Sequence, residues 1–263
     1  MNEEIKVDAK LKVAVESKDG LTIPSEIFCS QPYKLTNFFR LPSGGIEYIL
    51  MNSSAGIMAG DKYQIDIDIK KGSILSLLSQ SYEKIHKMDE GCASRNTTIK
   101  IGDSASLKYF PLPIIPFAGS AFKNSTDIRL ANANSKLIYA DFISSGRYHN
   151  NERFNYKYFI SKTNVFMGDK LIYRENSSFQ PEQANLYKLG LFENYDCLAN
   201  VLLYGFDSAR DKVRDYLSMA HITGIEAAIT EMPYCGTLIR GLGNESSRIQ
   251  KFINQAINTI LPL

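Results

Sequence analysis

The chain has 263 residues, of which 44% are hydrophobic and 22% charged, and its formal net charge is +2. This composition is ordinary for a folded globular protein and provides no general attraction to nucleic acid. No apolar run approaches the ~20 residues that a membrane-spanning helix requires. We therefore expect neither a nucleic acid partner nor a membrane partner.

The cysteines are scattered and form no Cys-x-x-Cys pair; they are Cys29, Cys92, Cys197 and Cys235. The N-terminal residues Met1 to Glu4 do not have the pattern of a secretory signal. A chain of this length does not need disulfides to fold. The sequence thus predicts a cytoplasmic protein with reduced thiols.

The first 50 residues contain short strand patterns. Apolar residues at every second position between Lys6 and Glu16 predict a half-buried strand, followed by a turn at Asp19-Gly20. A return strand is expected from Leu21, then irregular structure over residues 26–39, then a strand at 46–51. The alternating residues of the first strand are Val7, Ala9, Leu11, Val13 and Val15.

Four strand–turn–strand units follow, without helices between them. We interpret each unit as an antiparallel hairpin. This rhythm predicts a mainly β fold: an elongated body of stacked hairpins, superhelical or sandwich-like, over residues 1–180. The paired segments are 63–70 with 73–79, 97–101 with 106–110, 126–130 with 136–143, and 152–164 with 170–174.

The pattern changes after Pro181, and residues 181–263 predict a small α+β part with about two helices. Asp207-Ser208 is a capping signal for the first helix, and strands are expected at 225–230 and 237–240. A second helix is expected after Asn244. The whole chain, 1–263, is interpreted as a single domain.

The last helix has a wide apolar stripe. A stripe of this width usually packs on the chain's own core, and the alternative is a surface for a partner protein. The candidate partner-binding residues are Ile249, Phe252, Ile253 and Ile257.

Motifs for catalysis or tight metal binding are lacking. The three histidines, His86, His149 and His221, do not have zinc-ligand spacing, and no nucleophile elbow, phosphate-binding loop or dinucleotide motif occurs. We therefore expect no firm metal site. Arg147 follows Gly146, which permits close backbone approach, and we predict that it is largely buried in an ion pair with Asp141 or Glu152.

Three segments carry a resemblance to a known family. They are Gly60-Asp61 with Ser79-Gln80 and Lys84; 107–111 with 114–117; and Asp141, Gly146-Arg147 and Glu152. In this order and spacing, the chain resembles the urease accessory protein family UreD/UreH. One departure is Leu112-Pro113-Ile114, where many members of the family have a polar Gln-Glu-Thr.

The resemblance implies a non-enzymatic maturation scaffold with no tightly bound cofactor and with nickel in transit. Implied partners are a UreF-type accessory protein, a UreG-type GTPase bound through that complex, and the urease apoprotein. Carboxylates suit weak ligation of nickel during transit. The nickel-passage candidates are Asp61, Glu83, Asp141, Glu152 and Glu175.

The alternative function is hydrolysis. Asp61, Asp141 and Glu152 could act as acid and base carboxylates in a β-sheet hydrolase, since two carboxyl groups suffice for glycoside cleavage at the right separation. The sequence alone does not give that separation.

Overall fold

The computed structural model describes residues 8–206, 209–219 and 223–260, and over these ranges the chain is mainly β, with two α-helices near its C-terminal end. The capping residues expected at Asp207 and Ser208, as well as Val7 and His221, lie outside the described residues. Neither described helix is long and apolar enough to cross a membrane.

The strands of the N-terminal half are β1 (Asp8–Lys18), β2 (Leu21–Cys29), β3 (Tyr33–Leu35), β4 (Phe39–Arg40), β5 (Ile46–Asn52), β6 (Lys62–Ile69), β7 (Ile74–Ser79), β8 (Glu83–Ile85), β9 (Ala93–Ile101) and β10 (Ser106–Phe110). The later elements are β11 (Ile114–Pro116), β12 (Ala121–Leu130), β13 (Lys136–Ser144), a 3-10 turn (Tyr148–Asn150), β14 (Tyr158–Met167), β15 (Lys170–Phe179), β16 (Cys197–Tyr204), α1 (Ala209–Met219), β17 (Ile225–Met232), β18 (Gly236–Gly243) and α2 (Ser246–Asn258).

The described strands form two sheets. The first has the order β15-β14-β12-β9-β6-β1-β2, and the second has the main order β17-β18-β16-β13-β10-β7-β5-β3. Successive strands from β5 to β14 alternate between the two sheets, apart from the short β8 and β11. The chain therefore winds back and forth, and each turn adds one strand to each sheet.

This winding corrects the hairpin interpretation of three units. β6 pairs in parallel with β1 and β9, while β7 pairs in parallel with β5 and β10, so β6 and β7 are not partners. The units β9 with β10 and β12 with β13 are separated in the same way. A period of two predicts strands correctly, but it does not say whether a turn folds back within a sheet or crosses to the other one.

The crossing turns stack on one another, which explains why they do not close hairpins. The amide of Gly72 donates to the Asp103 carbonyl at 3.0 Å, and the amide of Ser106 donates to the Ser73 carbonyl at 2.8 Å. The amide of Lys136 donates to the Ala105 carbonyl at 2.8 Å in the next layer. Because these amides and carbonyls bond to the neighbouring turn, each turn is fixed by the layers beside it.

Other predicted pairs are confirmed. β1 and β2 form an antiparallel hairpin in which Lys18 opposes Leu21, and β14 and β15 form another in which Met167 opposes Lys170. The predicted strands at 225–230 and 237–240 are β17 and β18, which are also antiparallel. Residues 26–39, expected to be irregular, instead contain the end of β2, all of β3 and the first residue of β4.

The main core lies between the sheets and is built from aligned rows. Parallel pairing in register places Val13, Ile67, Ile99, Ile128 and Val165 side by side across five strands, and all are buried. Such a row removes a large apolar area from water, the main driving force for folding.

A second core lies on the outer face of the second sheet, where α2 covers β16 and β18. The apolar stripe of α2 is buried there, with Ile249, Ile253 and Ile257 inaccessible and Phe252 4% exposed. The expectation that these four residues form a partner surface is therefore corrected. The stripe completes the protein's own core because the outer face of β13 and β16 is also apolar.

Phe252→Ala should lower the free energy of unfolding by about 3–5 kcal/mol, because it leaves a cavity under α2. The exposed neighbour Lys251 provides a matched control on the same helix. Lys251→Ala should change stability by less than about 0.5 kcal/mol. A denaturant titration of both variants measures the difference, and equal midpoints would contradict the packing described here.

Candidate functional site

A polar row interrupts the apolar core between the sheets. In register across three neighbouring strands of the first sheet lie Arg95 on β9, Asn124 on β12 and Ser161 on β14. All three are buried. Each occupies an inward position of its strand, where alternation alone would place an apolar side chain.

The row forms a continuous hydrogen-bonded chain between two carboxylates. Arg95 Nη1 donates to Glu83, and Arg95 Nε donates to Asn124 Oδ1 at 3.0 Å. Asn124 Nδ2 donates to Ser161 Oγ at 3.1 Å, and the Ser161 hydroxyl donates to Asp141 Oδ2 at 3.3 Å. Buried polar groups are costly unless they are bonded, and here each is bonded either to the next strand of the first sheet or to a carboxylate of the second sheet.

Burial shifts the titration of this row. Desolvation raises the pKa of Asp141 above its ordinary value of 3.8, opposed by the positive charge of Arg95. Desolvation also raises the pKa of Tyr109 to about 12, so this phenol stays neutral. Desolvation by burial acts to lower the pKa of Arg95, but Glu83 together with the surrounding tyrosines outweighs it, and the net effect raises that pKa. Arg95 is therefore a permanent cation.

A second polar cluster adjoins Asp141. Arg240 Nη2 lies 3.1 Å from both carboxylate oxygens of Glu175, and Arg240 Nε donates to Asn200 Oδ1 at 2.8 Å. The Tyr173 hydroxyl also donates to Glu175. Asn200 opposes Asp141 in the β13–β16 pairing, which brings the cluster beside the polar row. The Arg240 side chain is half exposed, so this cluster reaches the surface.

Four cavities follow these residues from one side of the core to the other. An open cavity of about 350 Å³, lined by Asn52, Gln80 and Glu83, adjoins one of about 40 Å³ at Glu83 and Arg95. Next comes a cavity of about 10 Å³ at Arg95 and Asp141, and then one of about 20 Å³. The last is lined by Asp141, Glu175 and Asn200. Each cavity shares lining residues with the next.

The small cavities match the size of water rather than of an organic ligand. A buried water needs roughly 10–15 Å³ and two or more polar partners. The hydroxyl of Tyr33 lines the 40 Å³ cavity and has no hydrogen-bond partner within the described protein atoms. The cavity of about 40 Å³ therefore contains a buried polar group with free hydrogen-bonding capacity among the described protein atoms, which suits hydrated contents.

Three of the five nickel-passage candidates line this run of cavities at successive positions, namely Glu83, Asp141 and Glu175. Asp61 does not line these four cavities: it is buried beside them, where its Oδ2 accepts the Met58 amide at 2.8 Å and the Tyr63 hydroxyl at 3.4 Å. The first of these bonds ties the carboxylate to the backbone three residues earlier, within the loop that precedes β6. A role of Asp61 in nickel delivery stays a prediction.

Glu152 lies apart from the run of cavities, in an ion pair with Arg147. Arg147 Nε donates to Glu152 Oε2 at 2.8 Å, Nη2 donates to Oε1, and the guanidinium lies 4.1 Å from the centre of the Phe117 ring. The predicted pairing with Glu152 is confirmed. The predicted burial is wrong, since 39% of the Arg147 side chain is exposed. The Gly146 backbone packs directly on Glu152, and a Cβ there would lie 2.2 Å from the Glu152 carbonyl oxygen.

No group of three or more His, Cys, Asp or Glu side chains that could hold a metal ion occurs within the described residues. The carboxylates along the cavities are spread out instead. Of the three carboxylates in the hydrolase alternative, Asp141 lines two of these cavities, whereas Asp61 and Glu152 line none of the four. The geometry therefore provides no observation in favour of that alternative.

Sequence reasoning missed Arg95, Asn124, Ser161, Asn200 and Arg240. A signal for Arg95 was present, because it occupies the inward face of an alternating strand between Ala93 and Thr97. A charged residue at such a position needs a buried partner. Which partner it has depends on the winding of the chain, and strand alternation does not contain that information.

Arg95→Ala should lower the free energy of unfolding by about 3–5 kcal/mol, because it leaves the Glu83 carboxylate without its counter-ion where only 15% of that side chain is exposed. Arg147→Ala is the matched comparison, since it also removes an Arg–Glu pair but a more exposed one. It should cost about 1 kcal/mol or less. Denaturant titrations that gave equal losses would contradict the difference in burial.

Asp141→Asn should show a pH-dependent gain in stability. A raised carboxyl pKa in the folded state means that the folded protein binds more protons than the unfolded one, so stability falls as pH rises above the ordinary value of 3.8 through the folded pKa. The amide does not titrate and keeps an acceptor for the Ser161 hydroxyl. Unfolding free energies measured from about pH 4 to about pH 7 should shift in favour of the variant as pH rises. A constant difference would mean that the Asp141 pKa is not raised.

The sequence is similar to known proteins over nearly its whole length. The sequence matches the family model described as UreD urease accessory protein over residues 7–263. Urease accessory protein UreD of Acetivibrio thermocellus is 30% identical over 258 residues, covering 96% of this chain and 97% of that protein.

Two further relatives carry the name urease accessory protein UreH. That of Helicobacter hepaticus is 32% identical and covers 89% of this chain and 90% of its own length. That of Helicobacter pylori strain P12 is 29% identical and covers 97% of both. Since both the family model and these relatives cover nearly all of the sequence, the chain belongs to the UreD urease accessory protein family.

Proposed function

We propose that this chain is a urease maturation factor that lets nickel pass through its interior toward the urease active site. Family membership supports a role in urease maturation. The route and the cargo are the proposal. The observation that carries it is the run of water-sized cavities between the two sheets, with Glu83, Asp141 and Glu175 in succession along it.

The ligand chemistry of the run suits transit. Nickel(II) accepts carboxylate, amide and water oxygens. The run offers one or two carboxylates at each cavity, together with the amide side chains of Asn52 at the open end and Asn200 at the other end. Because the carboxylates are spaced along the path, a cation meets few of them at a time and is held weakly at each stage.

The two ends of the run differ. One end opens at the wide cavity between the loops at Asn52–Gly56 and Gln80–Lys84. The other lies at Glu175, under the half-exposed Arg240. A passage that joins two surfaces could receive a cation at one end and release it at the other.

The partners belong to the same proposal: a UreF-type accessory protein, a UreG-type GTPase bound through it, and the urease apoprotein. The apolar stripe of α2 is internal, so contact with the UreF-type protein has to use other surfaces. The passage requires that one partner cover each mouth.

Asp141→Asn and Glu175→Gln should lower the nickel content of urease matured with the variant, because each removes a charged oxygen ligand from the path. Both keep the shape of the side chain and an acceptor oxygen. Asp66→Asn is the control: Asp66 lies on the outer face of β6 beside Lys10 and Gln64, away from these cavities. Metal analysis of purified urease gives the readout.

Asp61→Asn tests the remaining candidate in the same assay, since the amide oxygen can still accept the Met58 amide. A role in delivery predicts less nickel with normal assembly, while normal nickel content would assign Asp61 to the loop. If urease matured with Asp141→Asn and Glu175→Gln holds as much nickel as with Asp66→Asn, the internal route is wrong.

A further inference from the structure

A fixed positive charge stands inside the path proposed for a cation. Arg95 lines both the cavity at Glu83 and the next one at Asp141. With Tyr109, Pro111 and Leu112 it forms the wall that these two cavities share. A divalent cation passing from Glu83 to Asp141 must cross at this wall, where the guanidinium would repel it.

The guanidinium is held by contacts that differ in strength. Its charge-assisted bond goes to Glu83, while Nε is anchored to the neutral Asn124 and the group lies 5.9 Å from the centre of the Phe122 ring. The anchors at Asn124 and Phe122 do not depend on Glu83. A cation that took over Glu83 would therefore remove one contact of Arg95 and leave the others in place.

A second acceptor lies within reach of the charge of Arg95. Asp141 lines the cavity on the other side of the wall, and its carboxyl interacts with the positive charge of Arg95. Arginine has five N–H donors, of which the bonds to Glu83 and Asn124 occupy two. A released guanidinium can thus turn toward Asp141 without leaving the polar row.

We propose that Arg95 is a resident cation of the passage: it neutralises Glu83 in the empty protein and yields that carboxylate to an incoming divalent metal ion. This inference rests on the proposed function and names the residue that keeps nickel binding weak. The metal ion must break the ion pair of Arg95 and Glu83 to bind, so its affinity at this cavity stays low enough for release. The same pair closes the passage when no metal is present.

Removal of the charge should turn a weak site into a tight one. Arg95→Met keeps the apolar stem against Phe122 but leaves Glu83 without its counter-ion. Loss of one positive charge within several ångströms of a dication is expected to raise affinity on the order of tenfold or more. Calorimetric titration of the purified chain with nickel chloride should show this gain for Arg95→Met and none for Arg95→Lys.

Two controls define the source of the gain. Arg129→Met removes a guanidinium from the exposed face of β12, where it lies over the Phe166 ring, and should leave affinity unchanged. The double variant Arg95→Met, Glu83→Gln removes both charges of the pair and should abolish the gain. Binding by Arg95→Met no tighter than by wild type would overturn the proposal, as would an equal gain in Arg129→Met.

A measurement on the unaltered chain covers the case in which Arg95→Met does not fold. The Nε–H signal of Arg95 in a nitrogen-15 spectrum is identified by its absence from the spectrum of Arg95→Lys. Addition of nickel chloride should shift or broaden that signal if the metal displaces the guanidinium. A signal that stays unchanged at saturating nickel would overturn the proposal.

The outcomes separate this inference from the function on which it rests. Nickel affinity of the chain tests Arg95, whereas the nickel content of urease matured with Asp141→Asn tests the route. Tighter nickel binding by Arg95→Met, together with a normal nickel content of urease matured with Asp141→Asn, would support the role of Arg95 and reject the internal route. Unchanged affinity together with reduced nickel in that assay would keep the passage and reject the role of Arg95.

Discussion

The parallel register of strands that wind between two sheets is the constraint on which the rest of the molecule depends. It brings residues that are about 30 positions apart into the same row, as in Ser73, Ala105 and Ser135 at the stacked turns, a spacing typical of repeat folds. The same register aligns Arg95, Asn124 and Ser161. A slip of one residue would turn every inward side chain outward, so the apolar rows fix the polar row as well.

The polar row is a cost that the apolar rows offset. Arg95 and Glu83 would be expensive to bury alone, and their pairing stabilises the fold chiefly by avoiding an unpaired buried charge. The row of Val13, Ile67 and Ile99, two inward positions further along the strands, supplies hydrophobic stabilisation. The small cavities between Glu83 and Glu175 are therefore compatible with a packed core, because their walls are held by apolar packing and by hydrogen bonds.

Local patterns in the sequence were enough to predict most of the longer strands, the two helices and an ion pair of Arg147 with Asp141 or Glu152, of which Glu152 is the observed partner. They did not predict β16 or the short strands β3, β4, β8 and β11. They did not predict how strands pair, because β6 and β7 have the same alternation whether their turn closes a hairpin or crosses between sheets. The apolar stripe of α2 has the same sequence pattern whether it contacts a partner or the chain's own core. The apolar outer face of β13 and β16, on which it packs, decides for the core. Glu83, Asp141 and Glu175 were named from sequence, but their convergence depends on pairing that only the folded chain shows.

Leu112 and Ile114 lie at the narrowest part of the run, where they line the cavity of about 10 Å³ between Arg95 and Asp141. Apolar side chains do not coordinate a cation, so the proposed route requires a metal ion to pass between the carboxylates on either side of this wall. The cavity at Glu83 and the cavity at Asp141 share four lining residues, and Arg95 provides the charge among them. The more apolar the wall, the more strongly that single guanidinium is felt, because a low dielectric strengthens every charge interaction within it.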